Sequence, residues 1–405
     1  MEKVGDLQDA AAAAAVAAGG NLLYKRFGPP NHSDYCSKQL VLQLGGNNPQ
    51  AMEGCVSALG DLGYHFEEIN LNCGCPSIQT GGADYGASLM KEADTTRQLI
   101  EAIDRGCHWQ SSSSTTTISI KCRTAVFETV DDMSAVMGGP PAILNAWKEE
   151  QFQTLCHYIS QCQKGGIGHV VLHARPAILA GLSSSKNRVI PPLDYTLVEQ
   201  VAQEFPGLRV TLNGGIKCMA GLDELMQQQQ HEDSMVASHM SGRWMLQHPL
   251  ELALVQSKFM PDTSDSAVDG TNSQTLFGSA IDKYMHFVTN SLNQKIHTLP
   301  EVCLPLYLVI EELREISDNC AETEDNACHR MEETGLDAIL PSEEDCYSTM
   351  RDALERLIDA FPSKNQKVKE LPTDIDWKKI SSNLKTLVGT KVYNKWKRNR
   401  NELVL

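Results

Sequence analysis

The chain lacks any uninterrupted apolar run of membrane-spanning length, so no membrane partner is expected. The stretch from Ala10 to Ala18 has no basic residue directly before it and no leucine-rich centre, which argues against a secretory signal; residues 1–19 read as a low-complexity tail. Without such a signal the 13 cysteines are expected to be reduced thiols, in a cytoplasmic or organellar setting. Metal-ligand spacing is missing too. Cys73 and Cys75 are too close for a zinc knuckle, and no second Cys/His pair stands at ligand distance, so no metal site is expected. Excess positive charge is also absent: a formal net charge of -16 excludes indiscriminate binding to polyanions. The distribution is uneven, however. Acids crowd 318–346, whereas the end of the chain carries Lys378, Lys379, Lys385, Lys391, Lys395, Lys397, Arg398 and Arg400.

What is present is organised around Glu68-Ile69-Asn70-Leu71-Asn72-Cys73-Gly74-Cys75-Pro76-Ser77. Ile69 and Leu71 alternate against Asn70 and Asn72, a buried-strand pattern, and Gly-Cys-Pro then stops the ladder. A strand halted this way presents polar atoms and thiols at its C-terminal tip, where parallel α/β folds do their chemistry. Further strands are expected at Leu40–Leu44, Ile118–Arg123, His169–Arg175, Leu208–Leu212 and Met235–Ala237, with helices at Pro49–Gly63, Ala87–Ala102, Phe152–Ile159 and Leu197–Phe205. Residues from about Phe127 to Lys148 read as irregular around Gly138-Gly139-Pro140-Pro141, and Ser111–Thr117 as a polar loop. Alternation of this kind implies parallel βαβ units and a (β/α)8 TIM-type barrel with its site at the C-terminal rim, a doubly wound sheet being the rival. Only about six strands are countable against the eight of such a barrel. Past about Asp262 strands vanish and helices are expected at Ala280–Leu292, Leu304–Ile316, Tyr347–Ala360 and Trp377–Lys395. The division expected is a tail over 1–19, a barrel over 20–258, a linker over 259–276 and an α-helical C-terminal domain over 277–405 with the acidic insertion at about 318–346.

Asn213-Gly214-Gly215 and Gly242-Arg243 follow the last two strands. Glycines there let backbone N–H groups close on an anion, and an arginine can fork onto phosphate, although Asn-Gly-Gly is also a common turn. Gln43, Lys121 and His173 stand at strand exits and together suit a flat polar ring such as a flavin.

The organising stretch, with His173-Ala174-Arg175, Gly181-Leu182-Ser183, Asn187-Arg188, Ile190-Pro191-Pro192-Leu193 and Asn213-Gly214-Gly215-Ile216, resembles the tRNA-dihydrouridine synthase family, most closely its bacterial A-type branch and plant and algal relatives. The resemblance runs in order over roughly residues 20–255 and more loosely beyond, where Gly389 and Trp396-Lys397-Arg398 resemble the tRNA-contacting end. It implies an FMN enzyme, expected to be a monomer, that reduces the C5–C6 bond of uridines in the tRNA D-loop with NADPH. It carries the proton donor onto Cys75, FMN contacts onto Gln43, Lys121, His173, Asn213, Gly214, Gly215, Gly242 and Arg243, and tRNA contacts onto Asn72, Lys186, Arg188, Lys391, Lys397 and Arg398. A neutral thiol suits the acid role because it holds its proton at neutral pH yet releases it readily. Cys73 is read as packing. The chain departs from the family pattern in that the family's first two strands are not found before Leu40, so by the resemblance the barrel is expected to be incomplete at its N-terminal end; it departs also at Gln79, near Ala125 and at Pro176, and by an insertion between Val236 and Gly242. Two alternatives stand beside this reading. One is a flavin-less RNA-binding relative that acts without reduction. The other is a flavin barrel acting on free pyrimidines.

Overall fold

The computed structural model describes residues 2–3, 22–27, 40–76, 85–107, 116–231, 234–259, 273–322, 336, 340–360 and 371–404. The alanine-rich tail, Gln79, most of the Ser111–Thr117 loop, much of the linker and the centre of the acidic insertion lie outside them. The chain divides into two units, residues 1–216 with 225–241 and residues 217–224 with 242–405.

In the first unit one parallel sheet takes seven strands in chain order: β1 Glu2–Lys3, β2 Val41–Gly45, β3 Glu68–Cys73, β4 Thr117–Arg123, β5 His169–His173, β6 Arg209–Asn213 and β7 Ser238–Met240. Each pairs with the next, and helices α1 Pro49–Asp61, α2 Ala93–Gly106, α3 Val130–Met137, α4 Pro141–Lys164 and α5 Tyr195–Glu204 fall between. Parallel strands paired in sequence order with helical crossovers are the TIM-type α/β barrel plan. Among the described residues β1 and β7 do not pair with each other. β1 raises the strand count above the sequence reading, and β7 lies just after the expected Met235–Ala237.

The barrel follows the strand alternation. Ile69, Leu71, Cys73, Ile118, Ile120, Cys122, Val170, Leu172, Val210 and Leu212 are buried together as one apolar set. The other set is polar and linked. Gln43 Nε2 donates to Asn70 Oδ1 at 2.7 Å, Asn70 Nδ2 to Ser119 Oγ at 2.8 Å, and Ser119 Oγ to Glu68 Oε1 at 2.6 Å. Glu68 also meets His169 Nδ1 at 2.8 Å and Arg209, and His169 Nε2 lies 2.7 Å from Thr211 Oγ1. This network occupies the strand beginnings, beside a cavity of about 510 Å³ lined by Val41, Glu68, Thr117, His169, Arg209 and Ser238 among others.

The irregular stretch expected from Phe127 to Lys148 is in fact α3 and the start of α4. Thr129 and Asp132 form a reciprocal capping box that opens α3, and Pro141 occupies the first position of α4, where its missing N–H is no loss. Gly139-Pro140 only separates two helices. The second unit is helical: α6 Arg243–Gln247, α7 Glu251–Phe259, α8 Ser273–Asn293, α9 Leu299–Glu322, α10 Glu343–Ala360, α11 Trp377–Val388 and α12 Thr390–Val404. The single helix expected over Trp377–Lys395 is broken into α11 and α12 at Gly389, whose φ of +94° favours glycine. No helix among the described residues is long and apolar enough to cross a membrane.

Candidate functional site

At the C-terminal end of β3 the chain leaves the sheet in a short turn braced by a side chain of that strand. After β3, Asn72 Oδ1 accepts the N–H groups of Gly74 at 3.1 Å and Cys75 at 3.2 Å. This Asx-type turn shapes the loop that carries Cys75. The loop is pinned again from beyond. Ala87 N–H donates to the Cys75 carbonyl at 2.9 Å, and a Cβ on Gly86, where φ is +72°, would sit 2.5 Å from that oxygen. Asn72 is thus buried and engaged by the loop's own amides.

Arg123, near the end of β4, is buried and gathers three carbonyls from separate loops: Gly74 at 3.1 Å, Pro176 at 3.2 Å and Asn187 at 3.1 Å. Asn187 in turn grips both the N–H and the carbonyl of Ile178, at 2.8 and 2.9 Å. One guanidinium therefore joins the Cys75 loop to the segments after β5. Sequence reasoning passed Arg123 over, although its spacing from Lys121 puts both on one side of β4.

Lys121 reaches past β5 to donate from Nζ to Asn213 Oδ1 at 2.8 Å, and Asn213 Nδ2 donates to the Met240 carbonyl at 2.8 Å. Burial, with the cations of Arg123 and Arg188 nearby, pushes the Lys121 amine down to about 8. Burial likewise lowers Arg123 to about 10, against the partly opposing pull of the Cys75 sulfur. Cys75, Lys121, Arg123 and Arg188 thus share one electrostatic neighbourhood. His173 is buried beside Gly214, where an added Cβ would lie 2.4 Å from the His173 ring, and φ is +106°. At Gly215, φ is +80° and a Cβ would lie 2.2 Å from the Tyr195 hydroxyl, which itself donates to the Gly214 carbonyl at 3.0 Å. Both glycines are required by close approach, which the Asn-Gly-Gly turn signal alone did not specify.

The two thiols of the organising stretch differ sharply. Cys73 is fully buried, and burial pushes it up to about 12, whereas Cys75 is half-buried; neither is in a disulfide. Gln43 is half-buried and held by Asn70. Lys186 and Arg188 lie in a short 3-10 turn, Lys186 exposed and Arg188 half-buried. Gly242 and Arg243 belong to the second unit, where Gly242 caps α6 with an ordinary negative φ. Lys391, Lys397 and Arg398 are exposed on α12, Lys391 and Arg398 on the side away from the buried Tyr393 and Arg400 and Lys397 flanking that buried stripe. Arg400, counted in the basic patch on charge alone, is instead paired with Glu315, from Nη2 to Oε2 at 2.8 Å.

A family model described as dihydrouridine synthase matches residues 19–137 and 143–339. A tRNA-dihydrouridine(20/20a) synthase of Shewanella oneidensis is 32% identical over 216 residues, 53% of this chain and 54% of that protein. A protein of the same name from Pasteurella multocida is 29% identical over 258 residues, 64% of this chain and 65% of its own. One from Vibrio parahaemolyticus is 34% identical over 224 residues, 54% and 56% respectively. The chain thus spans between about half and two thirds of the length of these relatives.

Proposed function

Because the chain belongs to the dihydrouridine synthase family, we propose that it is a tRNA-dihydrouridine synthase that reduces the C5–C6 bond of D-loop uridines, with FMN as carrier and NADPH as reductant. The relatives' names suggest uridines 20 and 20a as the targets. The observation that carries the reading is a half-buried thiol, Cys75, on a loop held by Asn72 and Arg123 among the cations at the strand tips. The residues there suit a flavin. An ammonium has three N–H donors, and Lys121 gives one to Asn213, leaving donors for an electron-rich ring. Gln43, Lys121, His173 and Asn213 would hold the ring. When bound, the flavin supplies hydride to C6 of the uridine.

The chain's own residues do the rest. Cys75 Sγ gives its proton to C5, and the thiolate left behind is stabilised by Lys121 and Arg123. Asn72 and Arg123 fix the loop so that the sulfur needs no reorganisation at that moment. The target uridine must leave its stack, at a few kcal/mol. Phosphate contacts from Lys186, Arg188 and the exposed Lys391, Lys397 and Arg398 offset that.

The test is the full chain with unmodified tRNA and NADPH, reading dihydrouridine by mass spectrometry and bound FMN by its absorbance. Cys75→Ala should retain FMN and lose about 10²–10⁴-fold in rate; a full rate with FMN bound removes the assigned acid. The flavin-less reading draws on β1 and β7, which do not pair with each other among the described residues. A colourless purified protein that binds tRNA and produces no dihydrouridine would establish it.

A further inference from the structure

The helical unit contains a cluster that this chemistry does not use. His248 precedes α7, Glu251 begins it and Glu312 lies in α9. His248 Nδ1 is 3.6 Å from Glu312 Oε1 and 3.9 Å from Glu251 Oε1, and the three ligand atoms all lie within 4.8 Å of one another. Both carboxylates are inside the unit, Glu251 5% and Glu312 2% exposed. Their far oxygens are fixed: Trp244 Nε1 donates to Glu251 Oε2 at 2.6 Å, and the Leu250 N–H donates to Glu312 Oε2 at 2.9 Å. That leaves the near oxygens facing the imidazole. Glu312 Oε1 is buried and has no hydrogen-bond partner among the described residues. His248 is the one basic side chain ion-paired to either carboxylate among the described residues.

Two buried carboxylates against one imidazole leave negative charge uncompensated when the ring is neutral, a costly arrangement away from water. A cation between the three near atoms would remove the imbalance. Ligands bound tetrahedrally at about 2.0–2.2 Å stand roughly 3.3–3.6 Å apart. The two imidazole–carboxylate separations are at or a little above that range and all three atoms lie within 4.8 Å of one another, so side-chain rotations would close the site. One nitrogen and two oxygens suit a first-row divalent ion rather than Mg²⁺ or Ca²⁺, which favour oxygen alone. We propose that His248, Glu251 and Glu312 bind a divalent first-row cation, Zn²⁺ being the best match, as a structural clamp between the start of α7 and α9. Trp244 and the Leu250 N–H orient its carboxylates. His248 and Glu251 are three residues apart, but Glu312 lies 61 residues further on, so no short spacing motif contains all three.

The test uses the full chain, stripped with chelator and titrated with Co²⁺ and then Zn²⁺. The expected result is one equivalent of Co²⁺ with visible bands of nitrogen–oxygen type and no thiolate charge transfer. Zn²⁺ should displace it, and each ion should raise the melting temperature. His248→Asn and Glu312→Gln should each weaken binding at least tenfold and abolish the thermal shift. The proposal is overturned if no Co²⁺ or Zn²⁺ binding is sensitive to these variants, or if the melting temperature is the same with and without the ion. In that event the cluster is a metal-free packing of His248 against the two glutamates. Should Glu312→Gln fail to fold, the half-buried His248→Asn decides alone.

Discussion

Replacing Gly214 by alanine probes how tightly the strand tips are built. The backbone there has φ of +106°, a region an L-residue enters at about 1–3 kcal/mol. The new Cβ would stand 2.4 Å from His173 Cδ2 and 2.7 Å from Nε2, far inside van der Waals contact. His173 is buried, so the ring cannot simply swing into solvent. Overpacking of this kind costs about a further 1–3 kcal/mol. The expected loss is therefore about 2–6 kcal/mol, read by denaturant unfolding of the full chain. Gly207→Ala is the control: its Cβ meets nothing within 4 Å and its φ is not in the left-handed region, so a change within about 0.5 kcal/mol is expected. His173→Ala separates the two contributions. Without the ring, Gly214→Ala should cost only its backbone share, so the double-mutant cycle should show about 1–3 kcal/mol of coupling. Equal losses for Gly214→Ala and Gly207→Ala, or strict additivity with His173→Ala, would refute the reasoning.

Arg123→Met should destabilise by at least about 3 kcal/mol, since the carbonyls of Gly74, Pro176 and Asn187 each lose a buried donor at about 1–3 kcal/mol apiece; it should also speed alkylation of Cys75 by freeing its loop, and an unchanged alkylation rate with intact folding would deny Arg123 its bracing role. With its amine lowered to about 8, Lys121 is charged below that pH and neutral above it, so affinity for FMN should fall as pH rises through about 8, and Lys121→Met should flatten that step; a pH-independent affinity in the parent chain would contradict it. Burial pushes the Glu68 carboxyl up, but hydrogen bonds from His169 and Ser119 and the charges of His169 and Arg209 outweigh it, leaving the group below its ordinary value. A depressed carboxylate adds stability above its unfolded pKa that is lost as pH falls through the folded one; acid unfolding of the parent chain should therefore show this loss, and Glu68→Gln should show a smaller pH slope in that window.

How much of this was legible depends on whether a feature is local. Strand β3 was readable because Ile69 and Leu71 alternate with Asn70 and Asn72, and Gly74 and Pro76 stop it; the period of two is written in adjacent residues. β2, β4, β5 and β6 followed for the same reason, to within a residue or two. Two misses came from misjudged breakers, one given too much weight and one too little. Gly138-Gly139-Pro140-Pro141 looked like an irregular stretch, yet Thr129 and Asp132 had already specified a helix start and Pro141 another. Gly389 in turn looked like an ordinary helix residue until its φ of +94° separated α11 from α12.

At the site, residue type and strand position suggested Gln43, Lys121, His173 and Asn213, but not what holds them. Arg123 closes loops that lie 49 to 64 residues away in sequence, and no window of the chain contains both partners. The same holds for charge. Arg400 lies in the run of cations that marks the C-terminal helix, yet its partner Glu315 is 85 residues earlier, so the sequence shows a free cation where the fold makes a buried pair. Lys391, Lys397 and Arg398 share that helix but are exposed; for Lys391 and Arg398 the difference is one of helical phase, whereas Lys397 flanks the buried stripe. A basic run thus gives an upper bound on the charge available to an RNA, and the burial pattern sets the usable part. If the exposed cations are that part, replacing Lys391, Lys397 and Arg398 should reduce the salt slope of tRNA binding by about 2–3, and replacing Arg400 should instead lower stability and leave the slope intact.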